Sequence, residues 1–270
     1  MTETLRLQML QSGLLPAALL LAMLLMAEIG WRIGREVVSR RKTPAPETAI
    51  SDSDNALIGS VFGLLALLIA FTFSGAYGRY ELHRDLIVKE VSAIGSAWRS
   101  IGLLPDAVQP KVREEFRRYV DHRITFYEGK LDTPTLEALR VVQGERADRL
   151  WQATVVAVRQ ESQAGERNLD ERAVADLAVM LDAFEAEFVA TKAHPPRIIF
   201  ISLLLLALIG AITSGYKMGL EKSRDWLITL VFAVLMSASV NLIVNLEYPR
   251  LSAIGLHEFD HDLVELRKTM

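Results

Sequence analysis

The chain has 270 residues, 51% of them hydrophobic and 23% charged, with a formal net charge of −3 and a mean hydropathy of +0.23. A soluble domain rarely averages above zero with so many charges, so apolar and charged residues must be segregated along the chain. The absence of cysteine excludes disulfides, thiolate metal sites and cysteine nucleophiles, and the small negative charge leaves no footprint for nucleic acid.

Four stretches contain no Asp, Glu, Lys or Arg and reach the roughly 20 apolar residues that a bilayer-spanning helix needs. The first is Leu7–Ala27, preceded by a single basic residue, Arg6, and long enough to be expected to stay as an anchor rather than be cleaved as a signal. Glu28 and Arg32, four apart at its end, mark an interfacial boundary and pair locally. A polar connector follows over 34–55 and ends in the cap-like run Ser51-Asp52-Ser53-Asp54. The second span, Ala56–Gly78, is the longest uncharged run. Its Phe62, Ile69, Phe73 and Tyr77 lie close to one helical face, which suits either plain packing or a hydrophobic constriction in an oligomeric pore. Gly59-x-x-x-Gly63 on the same span permits close helix contact.

Residues 79–196 read as a soluble helical segment. Leu82, Leu86, Val91, Ile94, Trp98 and Ile101 recur at helical spacing, so span two is expected to continue outward as one long helix. The two prolines of Leu103–Pro110 interrupt it. A second helix follows with Val112, Phe116, Val120, Ile124 and Tyr127 on one face. Thr133-Pro134, a cap followed by proline at the first helical position, opens a third that runs to about Glu161. Asn168 with Glu171 resembles a capping box for a fourth, which His194-Pro195-Pro196 breaks. Such stripes bury themselves within one bundle or against neighbouring subunits.

Span three, Ile198–Tyr216, and span four, Trp226–Leu246, are joined by the polar hairpin Lys217–Asp225, with Trp226 an interfacial aromatic. Ser237, Asn241 and Asn245 fall four apart on one face of span four. Amides in hydrocarbon need partners, so this polar face is either interhelical hydrogen bonding or the wall of a wet cavity. Residues 247–270 form an acidic tail. Within it, His257-Glu258-Phe259-Asp260-His261 matches H-E-x-x-H, in which His257 and His261 would share a zinc ion and Glu258 would activate its water. With no third ligand in reach and no cleft around the tail, a chance match is the simpler reading, and no metal or other cofactor is expected. A divalent site from Glu247, Asp260 and Asp262 is weaker still. Eight basic residues in the first loop and hairpin face nine flanking the span ends on the other side (Arg6, Arg79, Arg84, Lys89, Lys192, Arg197, Arg250, Arg267 and Lys268), so charge alone does not fix the orientation.

Two stretches resemble a known family. Ile69–Pro105 contains Phe71-Thr72-Phe73-Ser74-Gly75 at the end of span two, a run from Glu90 to Trp98 and a Leu103-Leu104-Pro105 break. It resembles an uncharacterised group of bacterial membrane proteins called bestrophin-like. Asn245–Leu263 resembles that family's ending and, distantly, the segment after the last span of the bestrophin anion channels. The resemblance implies an all-α integral membrane fold with four spans and a helical insert between spans two and three. It further implies a homo-oligomer, a pentamer in bestrophins, with span two lining the pore and Ile69 and Phe73 as neck residues. Passive conduction of chloride-type anions through the bacterial inner membrane would follow, with the termini and soluble segment in the cytoplasm. Tyr248-Pro249-Arg250-Leu251 departs from the bestrophin turn and puts a Ca²⁺ clasp in doubt. The competing expectation is a non-conducting scaffold or signalling protein whose helical segment binds partners, and an enzyme is not expected. Lipid, further copies of the chain and small anions are the expected partners.

Overall fold

The structure is a computed structural model and describes residues 14–40, 52–128, 133–161, 167–191, 195–221, 224–248 and 257–270. Among these residues all regular structure is helical. In chain order the helices are α1 (Leu14–Arg40), α2 (Asp52–Ser100), α3 (Gln109–Glu128), α4 (Thr133–Glu161), α5 (Arg167–Thr191), α6 (Arg197–Leu220), α7 (Trp226–Glu247) and α8 (His257–Lys268). Four of them are long and apolar enough to cross a membrane: α1, the apolar part of α2, α6 and α7.

The boundaries follow from local chemistry. Helix α1 runs on to Arg40, into the region expected to be connector, because Glu28–Arg32 and Glu36–Arg40 pair at i,i+4 and continue the turns past the last apolar residue. Helix α2 is unbroken for 49 residues, as the continuing stripe predicts. It ends in a 3₁₀ turn over Ile101–Leu103, where Pro105 forbids further helix and the Gln109 side chain donates to the Leu104 carbonyl at 2.7 Å. Thr133 opens α4 as expected, and α5 begins at Arg167, one residue before Asn168. Helix α6 extends through Leu220, four residues into the expected hairpin.

The chain divides into two compact units, one built from segments Gln8–Arg79 and His194–Tyr248, the other chiefly from Tyr80–Ala193 and Pro249–Met270. In the first, α1 and α6 meet backbone to backbone. A Cβ at Gly215 would stand 2.0 Å from the Ala27 carbonyl oxygen, one at Gly30 2.1 Å from that of Ile212, and one at Gly34 2.4 Å from that of Tyr216. Gly219 completes the set, 2.4 Å from the Trp31 carbonyl oxygen by the same measure. Only glycine permits this approach, which in a bilayer replaces the missing hydrophobic drive with dense van der Waals contact. Helix α7 joins through Ala233, Met236, Val240 and Ile243, all buried, and through the Ser237 hydroxyl, which donates to the Pro16 carbonyl of α1 at 2.9 Å.

In the second unit, the apolar stripes of α2, α3, α4 and α5 converge on Ile94, Phe116, Val120, Leu150, Leu177 and Met180. Helix α8 adds Leu263 and clips to α3 by the Arg267–Asp121 pair, both guanidinium-to-carboxylate bonds lying between 2.6 and 2.9 Å. At the centre of this apolar core sits a charge cluster. Arg123 of α3 donates from Nε and Nη2 to Glu90 of α2 (2.6 and 2.8 Å) and from Nη2 to Glu187 of α5 (3.1 Å). All three residues are fully buried, and the guanidinium stacks over Phe184 at 4.6 Å. Beside it Tyr119 is enclosed, and its hydroxyl approaches the Gln143 amide without completing a hydrogen bond. Burial, then the nearby charge of Glu90, drives its ionisation well above the usual tyrosine range.

Candidate functional site

Helix α2 is the element with most to explain. In the apolar window of each span, 22% of α1, 28% of α6 and 33% of α7 is buried within the chain, but only 6% of α2. Leu65 and Ala76 are buried, yet Leu64, Leu67 and Phe71 are open, and among the described residues no atom beyond the local helix lies within 4 Å of a Cβ built at Gly59 or Gly63. A bilayer-length apolar helix engaged along one narrow strip has most of its surface left for lipid or for another chain.

The four aromatic and aliphatic candidates on α2 part company. Phe62 turns into its own chain, packing edge-to-face on Phe232 of α7 at 5.3 Å and over Gly210 of α6. Ile69 is half-buried. Phe73 and Tyr77, 38% and 49% exposed, stack on one another with centroids 6.3 Å apart and present their rings outward. Two residues beyond Tyr77, Arg79 grips Glu247 at the end of α7 through Nε (3.1 and 2.8 Å) and Nη2 (2.7 Å), with the carboxylate buried. That pair holds the ends of spans two and four together.

The polar face of span four is divided as well. Ser237 makes the interhelical bond to Pro16, whereas Asn241 and Asn245 are half-buried, each turned a further ~40° from the buried stripe by the helix repeat. In the tail, α8 begins at His257, but the side chains of His257, Glu258 and Asp260 lie outside the described residues. His261 is exposed and faces Glu265 at 3.6 Å, and no cluster of three potential metal ligands occurs among the described residues. Glu265 itself is held below the usual carboxylate range by its hydrogen bond to Lys268.

Two features were absent from the pattern reading. One is the Arg123–Glu90–Glu187 cluster. Its signal was present: each residue stands at a core position of a stripe otherwise apolar, Glu90 one turn before Ile94, Arg123 between Phe116 and Tyr127, Glu187 between Phe184 and Phe188. The other is the Gly30, Gly34, Gly215 and Gly219 contact, legible as two small-xxx-small repeats.

A profile of the bestrophin-like domain matches residues 33–249. The chain belongs to the bestrophin-like family. No curated protein matches it. Among solved structures it is similar to a bacterial bestrophin homolog from Klebsiella pneumoniae, at 16% identity and a TM-score of 0.60, covering 93% of this chain and 98% of that one. Two single-substitution variants of that homolog match at 16% and 15% identity, both with a TM-score of 0.61 and the same coverage. At such identities the likeness establishes the fold, an all-α bestrophin architecture with four transmembrane helices and a helical insert. Bestrophin-family members are oligomeric membrane channels rather than enzymes, so membership supports an anion-channel type of function in general.

Proposed function

We propose that this bestrophin-like protein is a homo-oligomeric channel, pentameric as in bestrophins, that conducts chloride-type anions passively through a pore lined by span two. The observation that carries the reading is the openness of α2, only 6% of whose apolar window is buried within its own chain. A pore-lining helix must be left uncovered by its own subunit on the axial side and be met by neighbouring copies on the flanks. The outward Phe73 and Tyr77, with Ile69 beside them, would form a neck in which narrowness and dryness set the barrier to a hydrated ion. Phe62, held by Phe232, backs this neck within its own subunit. Asn241 and Asn245 would face a neighbouring copy or water rather than lipid. The reading includes residence in the bacterial inner membrane with the termini and the insert, 79–196, in the cytoplasm.

The test is chloride flux from liposomes containing the purified protein, alongside imaging of the particle in detergent. A closed ring with α2 at its axis, and flux altered by Phe73→Ala and Ile69→Ala, is expected. A monomeric particle, or flux indifferent to both substitutions, would overturn the proposal, and a fusion reporter active outside the cytoplasm at Met270 would overturn the orientation.

A further inference from the structure

A cluster at the other end of the spans belongs to no part of this reading. Where α1 leaves its apolar run and α7 begins, Trp31, Arg35, Arg224 and Trp226 gather around Glu28. The Arg224 guanidinium lies 4.2 Å from the Trp31 ring centre and 4.5 Å from that of Trp226, and donates to Glu28 at 2.8 Å. The same carboxylate takes Arg32 at 2.9 Å. Arg35 lies over Trp31 as well, at 4.8 Å, and has no carboxylate partner among the described residues. Trp31, Arg224, Trp226, Glu28 and Met218 line a small recess of about 20 Å³. The Trp31 indole nitrogen is buried there and finds no acceptor among the described residues.

Arg32 and Arg224 thus share one carboxylate while Arg35 contacts none among the described residues, and even with neighbouring Asp225 counted the three arginines remain in excess. The depth is that of the lipid headgroups, since uncharged sequence ends at Ala27 and begins again at Trp226. What the cluster lacks is an anionic acceptor able to take guanidinium and indole N–H bonds together. A phosphodiester has that chemistry: spread negative charge, several acceptor oxygens, and a geometry that guanidinium forks match. We propose that Trp31, Arg35 and Arg224 form a binding site for the phosphate of an anionic phospholipid headgroup at the interfacial ends of spans one and four. A choline headgroup would be a poor occupant, because its cation would meet the excess of arginine.

The test titrates the full-length protein, in non-ionic detergent, with dioleoyl phosphatidylglycerol, dioleoyl phosphatidylcholine or inorganic phosphate, and counts bound molecules by native mass spectrometry. Phosphatidylglycerol is expected to bind more tightly than phosphatidylcholine. Arg35→Gln, which breaks no ion pair of the described residues, should weaken it by roughly fivefold, the worth of about one basic residue at an anionic surface. Trp31→Phe, which keeps a ring and loses the donor, should weaken it too, while Arg149→Gln in the soluble unit should not. Equal affinity for the two lipids, or unchanged phosphatidylglycerol binding in Arg35→Gln, overturns the site. Displacement of the lipid by inorganic phosphate alone overturns the lipid as its occupant.

Discussion

Replacing Arg123 by leucine should be the most damaging single change in the second unit. The guanidinium makes charge-assisted bonds to both Glu90 and Glu187, and both carboxylates are fully buried. Each such bond contributes about 1.5–3 kcal/mol. Leucine recovers part of this as apolar burial but withdraws the cation from two buried carboxylates, so the net loss is about 3–5 kcal/mol, as for other broken buried pairs. Against a total stability of about 5–15 kcal/mol for an ordinary domain, that is enough to populate the unfolded insert. Denaturant unfolding followed through Trp98 and Trp151, both in this unit, would measure it. Arg123→Lys should lose most of the stability too, since an ammonium cannot fork across Glu90 while reaching Glu187. The triple change Arg123→Met, Glu90→Leu and Glu187→Leu should recover most of it, because the carboxylates are removed together with their cation. A loss below about 1 kcal/mol in Arg123→Leu alone would refute the reasoning, for that is the size of an unremarkable substitution.

Further outcomes follow from the other contacts. Gly215→Ala would push a methyl to 2.0 Å from the Ala27 carbonyl oxygen, and separating the two backbones should cost about 1–3 kcal/mol, seen as a lower melting temperature in micelles. Gly63→Ala meets nothing within 4 Å among the described residues, so the isolated subunit should tolerate it, and any effect should appear as weaker oligomers in size-exclusion chromatography. The Tyr119 pKa is raised by burial, so its contribution to stability is complete below the unfolded value near pH 10 and is lost as the pH rises above it. Tyr119→Phe should flatten that alkaline loss in melting curves and cost under about 1 kcal/mol at neutral pH, since among the described residues the hydroxyl completes no hydrogen bond. Ser237→Ala should lose about 0.6 kcal/mol, an average interhelical hydrogen bond in a membrane, by thermal melting in micelles.

Single-helix features were legible because their causes are local. The uncharged runs of spans two, three and four lie within α2, α6 and α7, Thr133-Pro134 opens α4, and the proline pair after Leu103 ends the longest helix. What escaped was which face meets which. Periodicity locates the apolar stripe of α3, but it does not say that Arg123 within that stripe meets glutamates 33 and 64 positions away. The glycine pattern misled in an instructive way. Gly59 and Gly63 share a spacing with Gly30 and Gly34, yet only the second pair has a backbone against it. Spacing marks a helix able to come close and is silent on whether a partner arrives. On α2, likewise, Phe62 and Phe73 share a face by phase, but the ring of one is taken up by Phe232 and the other is open.

The glycine contact also bears on how relatives of this chain should be read. At Gly30, Gly34, Gly215 and Gly219 the obstacle to change is main chain, which no compensating side-chain replacement can move aside. In a comparison of many bestrophin-like sequences these columns should therefore vary as little as those of a binding site, although no substrate or ion need ever touch them. Their constancy would record the distance between two helix axes, and ranking positions by constancy alone would draw the eye to a hinge pin before the door it carries.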